Sequence, residues 1–465
     1  MRDELINSLN SFLSKYKVDF TDLRHLRRVT FEIVVQDGRI YGVSSAEIYG
    51  VGARVLLNGA WGFSAINSPS KNDIMNVLEE AYHMARSYQD FVTEKSYVAN
   101  VKPIEDTTSL PVKINPLDVP IDEKIKKVVE IEREMRKYDN RIKNTIVSYR
   151  EVIDEETIVN SFGTNVKQKI IRTIVSVFVT AYEKGTIQRA YERAGGTRGY
   201  ELFEEFVKNE RYIKACERAI KLLSAKEPPS GKYPVILSPS VVGLLVHEAF
   251  GHNCEADHVL SGESILENKL GKRVASELVT IVDNSNVPGA FGSYKYDSEG
   301  VPGRRRVIVE KGILKGFLHS LETAAKLNAE PNGSARAYTH LHKPIVRMSN
   351  TYIEPGDWSL EEMIEDLKIG VYCKESSWGY VFTERGQFTC NVDEAYLIEK
   401  GEITQMLRNL SFGGLTLETL LKVDAVGKDF RLADPGMCGK SGQAMFVDGG
   451  GPHIRIKEVV IGGRV

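Results

Sequence analysis

The fold of this chain is decided in the stretch Leu237-Ser238-Pro239-Ser240-Val241-Val242-Gly243-Leu244-Leu245-Val246-His247-Glu248-Ala249-Phe250-Gly251-His252. Leu237 ends an apolar run that reads as a strand. Ser238 offers the oxygen of an N-cap, and Pro239 suits the first helical position, where its missing N–H costs nothing. From Val241 to Val246 the helix is apolar or glycine on every side, so it is expected to be buried. Burying Glu248 without a partner is expensive. Two imidazoles supply half of a zinc site, and a glutamate beside the first is placed to act as base on water activated by the metal.

The spacing is unusual. In the H-E-x-x-H pattern of zinc peptidases the histidines are four apart on one helix face; here they are five apart. On a straight α-helix a spacing of four leaves side chains roughly 40° apart, and a spacing of five roughly 140° apart. His247 and His252 can share an ion only if the helix is locally under-wound, for instance by a single π-type turn. Gly251, just before the second histidine, is where a distortion would cost least. A catalytic zinc takes a third protein ligand. Cys254, Glu255, Asp257 and His258 follow at once and suit either ligation or the orienting of ligand imidazoles. Glu263, Glu267 and Glu277 lie further downstream, and Cys438 sits in the glycine-flanked loop Pro435-Gly436-Met437-Cys438-Gly439-Lys440. Spacing alone does not choose among them.

Outward from this stretch, the clearest linker is Ser224–Gly231, with Pro228-Pro229. Before it, one plan occurs twice. A helix with Leu5, Leu9, Phe12, Leu13 and Tyr16 on one side precedes strands that turn at Asp37-Gly38 and Asn58-Gly59. A second helix, from near Ser70, carries Ile74, Val77, Leu78, Ala81, Tyr82 and Ala85. After a proline-rich connector at 98–120 comes a helix over 122–138, strands over 146–193 and a closing helix over 200–223. Helix, β-meander, helix, twice, suggests a duplication. Beyond the linker, turn signals at Lys311-Gly312, Asn332-Gly333, Lys400-Gly401 and Gly413-Gly414 point to a mainly antiparallel β domain. The chain therefore reads as α+β, with units at 1–115, 116–225 and 226–465, the last carrying the metal-binding helix.

Composition excludes some functions. With 61 basic and 63 acidic residues, net charge −2, there is no basic footprint for nucleic acid and no pull toward an anionic membrane. Arg304-Arg305-Arg306 is the one tight basic cluster and reads as solvated arginines at a strand entry. No stretch approaches eighteen apolar residues, and Met1-Arg2-Asp3-Glu4-Leu5 lacks the apolar run of a signal peptide, so a cytoplasmic location is expected. Cys216, Cys254, Cys373, Cys390 and Cys438 are odd in number and scattered, which fits reduced thiols.

Nearly the whole chain resembles the TldD/PmbA family, once called modulators of DNA gyrase, and within it the TldD branch. The resemblance is carried by Gly52-Ala53-Arg54-Val55-Leu56 with Gly59-Ala60-Trp61-Gly62-Phe63. It continues in His247-Glu248-Ala249-Phe250-Gly251-His252 with Glu255-Ala256-Asp257, in Thr280-Ile281-Val282-Asp283 and in Glu299-Gly300. Further matches are Arg347-Met348-Ser349-Asn350-Thr351, Gly386-Gln387-Phe388, Cys438-Gly439-Lys440-Ser441-Gly442-Gln443 and Ile461-Gly462-Gly463. Cys390 departs from the family's apolar or aromatic position and reads as core.

The resemblance implies a zinc metallopeptidase that cuts unfolded peptides. It implies His247, His252 and Cys438 as metal ligands and Glu248 as general base. It also implies a dimer with a metal-less sister subunit, TldE (PmbA), which lacks the histidine motif; the sequence leaves a homodimer open. A different class of reading is a non-catalytic partner or regulatory subunit with a structural or absent metal. A gyrase or DNA-binding modulator has only the family's older name behind it. Arg347 and Asn350 read as structural hydrogen-bonding groups near the site.

Overall fold

The computed structural model describes residues 1–463, with Lys71 described by its backbone only. The first half of the chain is built twice on one plan. Helix α1 (Arg2–Lys15), strands β1 (Phe20–Gln36), β2 (Arg39–Leu57) and β3 (Ala60–Asn67), and helix α2 (Lys71–Tyr88) form the first pass. Strand β4 (Glu105–Ser109) bridges to the second pass: α3 (Ile121–Lys137), β5 (Ile142–Asn160), β6 (Asn165–Glu183), β7 (Thr186–Gly196), α4 (Glu201–Lys208) and α5 (Arg211–Ser224). The meanders turn where Asp37-Gly38, Asn58-Gly59 and Lys184-Gly185 each place two residues at positive φ, the backbone that matches hairpin twist. The two passes are not separate sheets. β1 pairs antiparallel with β5 from Asp22↔Asn160 to Gln36↔Ile146, giving one seven-stranded sheet.

Two apolar layers cover this sheet. Leu5, Leu9 and Phe12 of α1 pack with Ile74, Val77, Leu78 and Ala81 of α2 against Val51, Ala53 and Val55. Val128, Ile131 and Met135 of α3 and the apolar faces of α4 and α5 pack against Tyr149, Val175 and Val177. The periodicity over 200–223 predicts one helix; the structure has two, because Glu210 takes a left-handed backbone (φ 50) between them. The break lets Phe203 and Phe206 on one side and Ala215, Cys216 and Ala219 on the other all reach the same core.

Past the linker the chain forms a closed barrel. Strand β8 (Gly231–Leu237) runs parallel to the strand Ile369–Phe382 and antiparallel to Ile454–Gly463. The ring closes through Gln387–Glu399 and Leu410–Leu415. Gly413-Gly414 does not turn: both glycines lie inside the strand Leu410–Leu415, and a Cβ on Gly413 would come within 2.7 Å of the Phe388 carbonyl. The glycines there answer a need for close strand packing, which mimics a turn signal in sequence. A second sheet of seven strands, containing Ile281–Asn284, Asn350–Ile353 and Gln443–Gly451, stands beside the barrel. Helix α6 (Pro239–Leu245) leaves β8 and is buried at all its residues. It crosses the strand Gln443–Gly451 so closely that a Cβ on Gly243 would lie 2.7 Å from the Gly449 backbone. The helix that leads to His247 is thus wedged between barrel and sheet.

Buried arginines tie the halves together. Arg54 on β2 pairs with Asp22 on β1 and, at 3.0 Å, with Glu299 of the C-terminal unit. Arg172 on β6 donates to the carbonyls of Phe291 and Ser293. The arginine cluster is not wholly solvated: Arg304 and Arg305 are exposed, but Arg306 is buried and donates to Asp283, Ser349 and the Gly333 carbonyl. Asp283 draws it inward, since a buried carboxylate needs a cationic partner. Replacing Arg54 with alanine leaves Asp22 and Glu299 buried without their partner and is expected to cost about 3–5 kcal/mol. A urea unfolding midpoint unchanged from the parent protein would contradict this.

Candidate metal centre

Local backbone brings the two histidines together. After α6, Val246–Phe250 form a single π turn and Gly251–Cys254 a 3-10 turn. The π turn absorbs the additional residue between His247 and His252, as the spacing predicts. Their rings stand 5.2 Å apart, edge to face at 82°. The role of Gly251 differs from the one its position suggests. Its backbone is ordinary helix (φ −57, ψ −48), and the departure falls on Phe250 at φ −118. What Gly251 provides is room, because a Cβ there would sit 2.0 Å from the Met348 sulfur.

The third group arrives from the far end of the chain. Gly436–Lys440 and Gln443–Gly451 form a hairpin in which Cys438 pairs with Met445. Cys438 Sγ lies 3.2 Å from His252 Nε2. One ligand atom each from His247, His252 and Cys438 lies within 4.8 Å of the others, and all three side chains are buried. Burial raises the Cys438 thiol, but the charges and hydrogen bonds of His247 and His252 outweigh it and hold the thiol well below its usual range. Burial alone pushes Cys373 up, and it dominates at Cys390 and Cys254, whose thiols lie well above the usual value. Only Cys438 is set up as a thiolate, the form that binds metal. A buried thiolate facing two imidazoles fits a zinc ion by donor type.

The other candidates go elsewhere. Glu255 is fully buried and accepts from His252 Nδ1 at 3.0 Å, which turns Nε2 toward Cys438. Asp257 and His258 do cluster with Glu255, but Lys440 Nζ stands among them, 3.1 Å from Glu255 and 2.7 Å from Asp257. An ammonium already occupies the place a cation would take. Cys254 donates to the carbonyls of Phe250 and Gly251. Glu263, Glu267 and Glu277 are exposed. Cys390 is core.

Arg347 and Asn350 have structural partners. Arg347 is the largest fully buried side chain, and its guanidinium donates to the carbonyls of Cys438 and Gln443, gripping both strands of the thiolate hairpin. Asn350 bonds the Gly292 amide, the Asn284 carbonyl and Ser293. Neither Lys440 nor Arg347 could be assigned to its partner from spacing, because the contacts span 185 and 91 residues.

Glu248 is half-buried, with no hydrogen bond to its carboxylate among the described residues. Burial raises its pKa above 4.5, against the lowering charges of His247 and His252. Gly379 of the barrel strand Ile369–Phe382 lies over it; a Cβ there would be 3.3 Å from Glu248 Cγ. Asp434 adds negative charge nearby and is itself paired with Arg193 at 2.7 Å.

Family models for the C-terminal, central and first domains of PmbA/TldA metallopeptidases match residues 230–463, 114–223 and 21–85. This chain belongs to the TldD/PmbA metallopeptidase family. A metalloprotease of Methanocaldococcus jannaschii is 43% identical over 94% of this chain and 96% of its own. A protein of Saccharolobus solfataricus named zinc metalloprotease TldD homolog is 32% identical over 96% of this chain and 97% of its own. Among solved structures, TldE from Thermococcus kodakarensis shares the fold at TM-score 0.80 and 19% identity, covering 99% of this chain and all of that one. At the family level this chain is a metalloprotease.

If Glu255 orients His252, Glu255→Gln should weaken zinc binding about 10–100-fold. Cys438→Ser should weaken it further, in competition against a chromogenic chelator. Unchanged affinity in Cys438→Ser would remove Cys438 from the ligand set.

Proposed function

We propose that this chain is a zinc-dependent peptidase for unfolded peptides, in which His247, His252 and Cys438 hold the metal and Glu248 is the general base. The observation that carries this reading is the convergence of two imidazoles and a thiolate beside a carboxylate that has no hydrogen-bond partner among the described residues. Zinc, when bound, would polarise a carbonyl and bring the pKa of a water down to about 7. Glu248 would take a proton from the attacking water and pass it to the departing amine, since its carboxylate lies beside His247 in sequence and accepts no hydrogen bond among the described residues. A thiolate ligand makes a softer, oxidation-sensitive site than an all-imidazole set.

The barrel strand Ile369–Phe382 supports a way for peptides to bind. β8 pairs with it only over Val371–Cys373, whereas Gly379–Phe382 pair with Gln387–Cys390 alone among the described strands. The free edge passes Glu248 at Gly379. An extended peptide adding to this edge would be held by its backbone, with little demand on its side chains. A TldE-like sister subunit or a second copy would complete the enzyme. No helix among the described residues is long and apolar enough to cross a membrane. A cytoplasmic location belongs to the proposal.

Glu248→Gln is expected to lower cleavage of an unfolded fluorogenic peptide about 10²–10⁴-fold while zinc content stays that of the parent protein. Full activity in Glu248→Gln would refute the mechanism. No cleavage by the parent protein, zinc-loaded and supplied with a sister subunit, would refute the peptidase reading itself.

A further inference from the structure

A cavity of about 620 Å³ opens between the central unit and the barrel, walled by β7, α4, α5 and the segment Arg431–Pro435. Its position relates it to the metal centre. Pro435 forms part of its wall, and the strand carrying Cys438 starts at the next residue. Arg193, on the same wall, pairs with Asp434, whose charge is felt at Glu248. The cavity therefore borders the segment that leads into the Cys438 strand, outside the ligand set.

Its charges do not cancel. Glu192, Glu375 and Glu394 are gathered around the buried Arg218. Glu205 pairs with Arg198 and Glu217 with Lys221. Asp448, on the floor, accepts from the amides of Phe291 and Gly449, and burial pushes its carboxyl up to about 7. Every glutamate of the wall thus has a basic partner, and Arg211 and Lys374 reinforce Glu192 and Glu394. Two cations remain. Arg431 and Lys214 are exposed on the cavity wall, and neither side chain has a hydrogen bond or ion pair among the described residues, although the charge of Arg431 is felt at Glu375.

We propose that this cavity is a carboxylate subsite, in which Arg431 and Lys214 receive an anionic group of the bound peptide. The carboxylate could be the peptide's own C-terminus or an acidic side chain; both offer the planar, two-oxygen acceptor that a guanidinium matches in a fork. Lys214, on the same cavity, adds a point charge without directional demand. The subsite rests on the peptidase reading and adds a preference that strand addition by itself would lack.

The test is direct binding of three fluorescein-labelled unfolded decapeptides to full-length, zinc-loaded protein that carries Glu248→Gln, which prevents turnover, and is supplied with a sister subunit. One peptide is neutral with an amidated C-terminus, one is neutral with a free C-terminus, and one is amidated with two glutamates near its end. At least one carboxylate form is expected to bind about fivefold more tightly than the neutral amide for each exposed pairing gained, an advantage that shrinks with added salt. Which form gains identifies the source of the carboxylate. Arg431→Glu and, separately, Lys214→Glu should reverse the preference toward a lysine-bearing amide, a reversal that a purely structural role would not produce. Equal binding of all three peptides would overturn the subsite and leave the peptidase reading standing. Binding of none would overturn both.

Discussion

His247 and His252 lie five positions apart, and no straight α-helix can aim both side chains at one ion. Much of the surrounding architecture follows from meeting that constraint. The under-wound turn Val246–Phe250 must be held by its surroundings, because an i→i+5 turn is less favourable than continued α-helix. Burial supplies the hold: α6 is enclosed between barrel and sheet, and Phe250 and Met348 are packed at the distortion. The absence of a Cβ at Gly251 lets Met348 approach the turn. At Gly243 it lets the helix cross the strand that leads back to Cys438.

Closing the site requires a thiolate brought 186 residues along the chain to His252. Arg347 provides the reach. Buried and charged, it satisfies carbonyls on both strands of the Cys438 hairpin and so fixes where the sulfur lies. Glu255 plays the matching part for His252, and Lys440, from the same hairpin, pairs with Glu255. The carboxylate that holds His252 is thus tied to the strand that carries Cys438. Glu255 stays ionised: burial would raise it, but Lys440, His252 and Arg347 outweigh burial and hold it far below the usual carboxylate range. Ligand orientation and hairpin position are one electrostatic unit.

Much of this was legible in sequence. The hairpin dipeptides, the N-cap serine with its proline, and the amphipathic helices of the two passes follow from local backbone chemistry, which a single sequence displays. The H-x₄-H spacing also carried its own structural consequence, since geometry demanded an under-wound turn. Other features depended on contacts between distant segments. Gly413-Gly414 looks like a turn because glycine's freedom serves close packing as well as bending. Arg306 looks solvated because its partner, Asp283, is 23 residues away. The merging of two meanders into one sheet rests on β1–β5 pairing, which no local pattern announces. Spacing could not pick Cys438 over Cys254 or Glu255; the family resemblance pointed to it, and the fold brings it to the histidines.

The central claim is that the metal is held by two imidazoles and the Cys438 thiolate, with a position left for water. X-ray absorption at the zinc K-edge of the purified protein measures that set directly. The account predicts two nitrogen scatterers at about 2.0–2.1 Å, one sulfur at about 2.3 Å and one further light atom, with the sulfur lost in Cys438→Ser. A first shell without sulfur in the parent protein, or a sulfur that persists in Cys438→Ser, would contradict it.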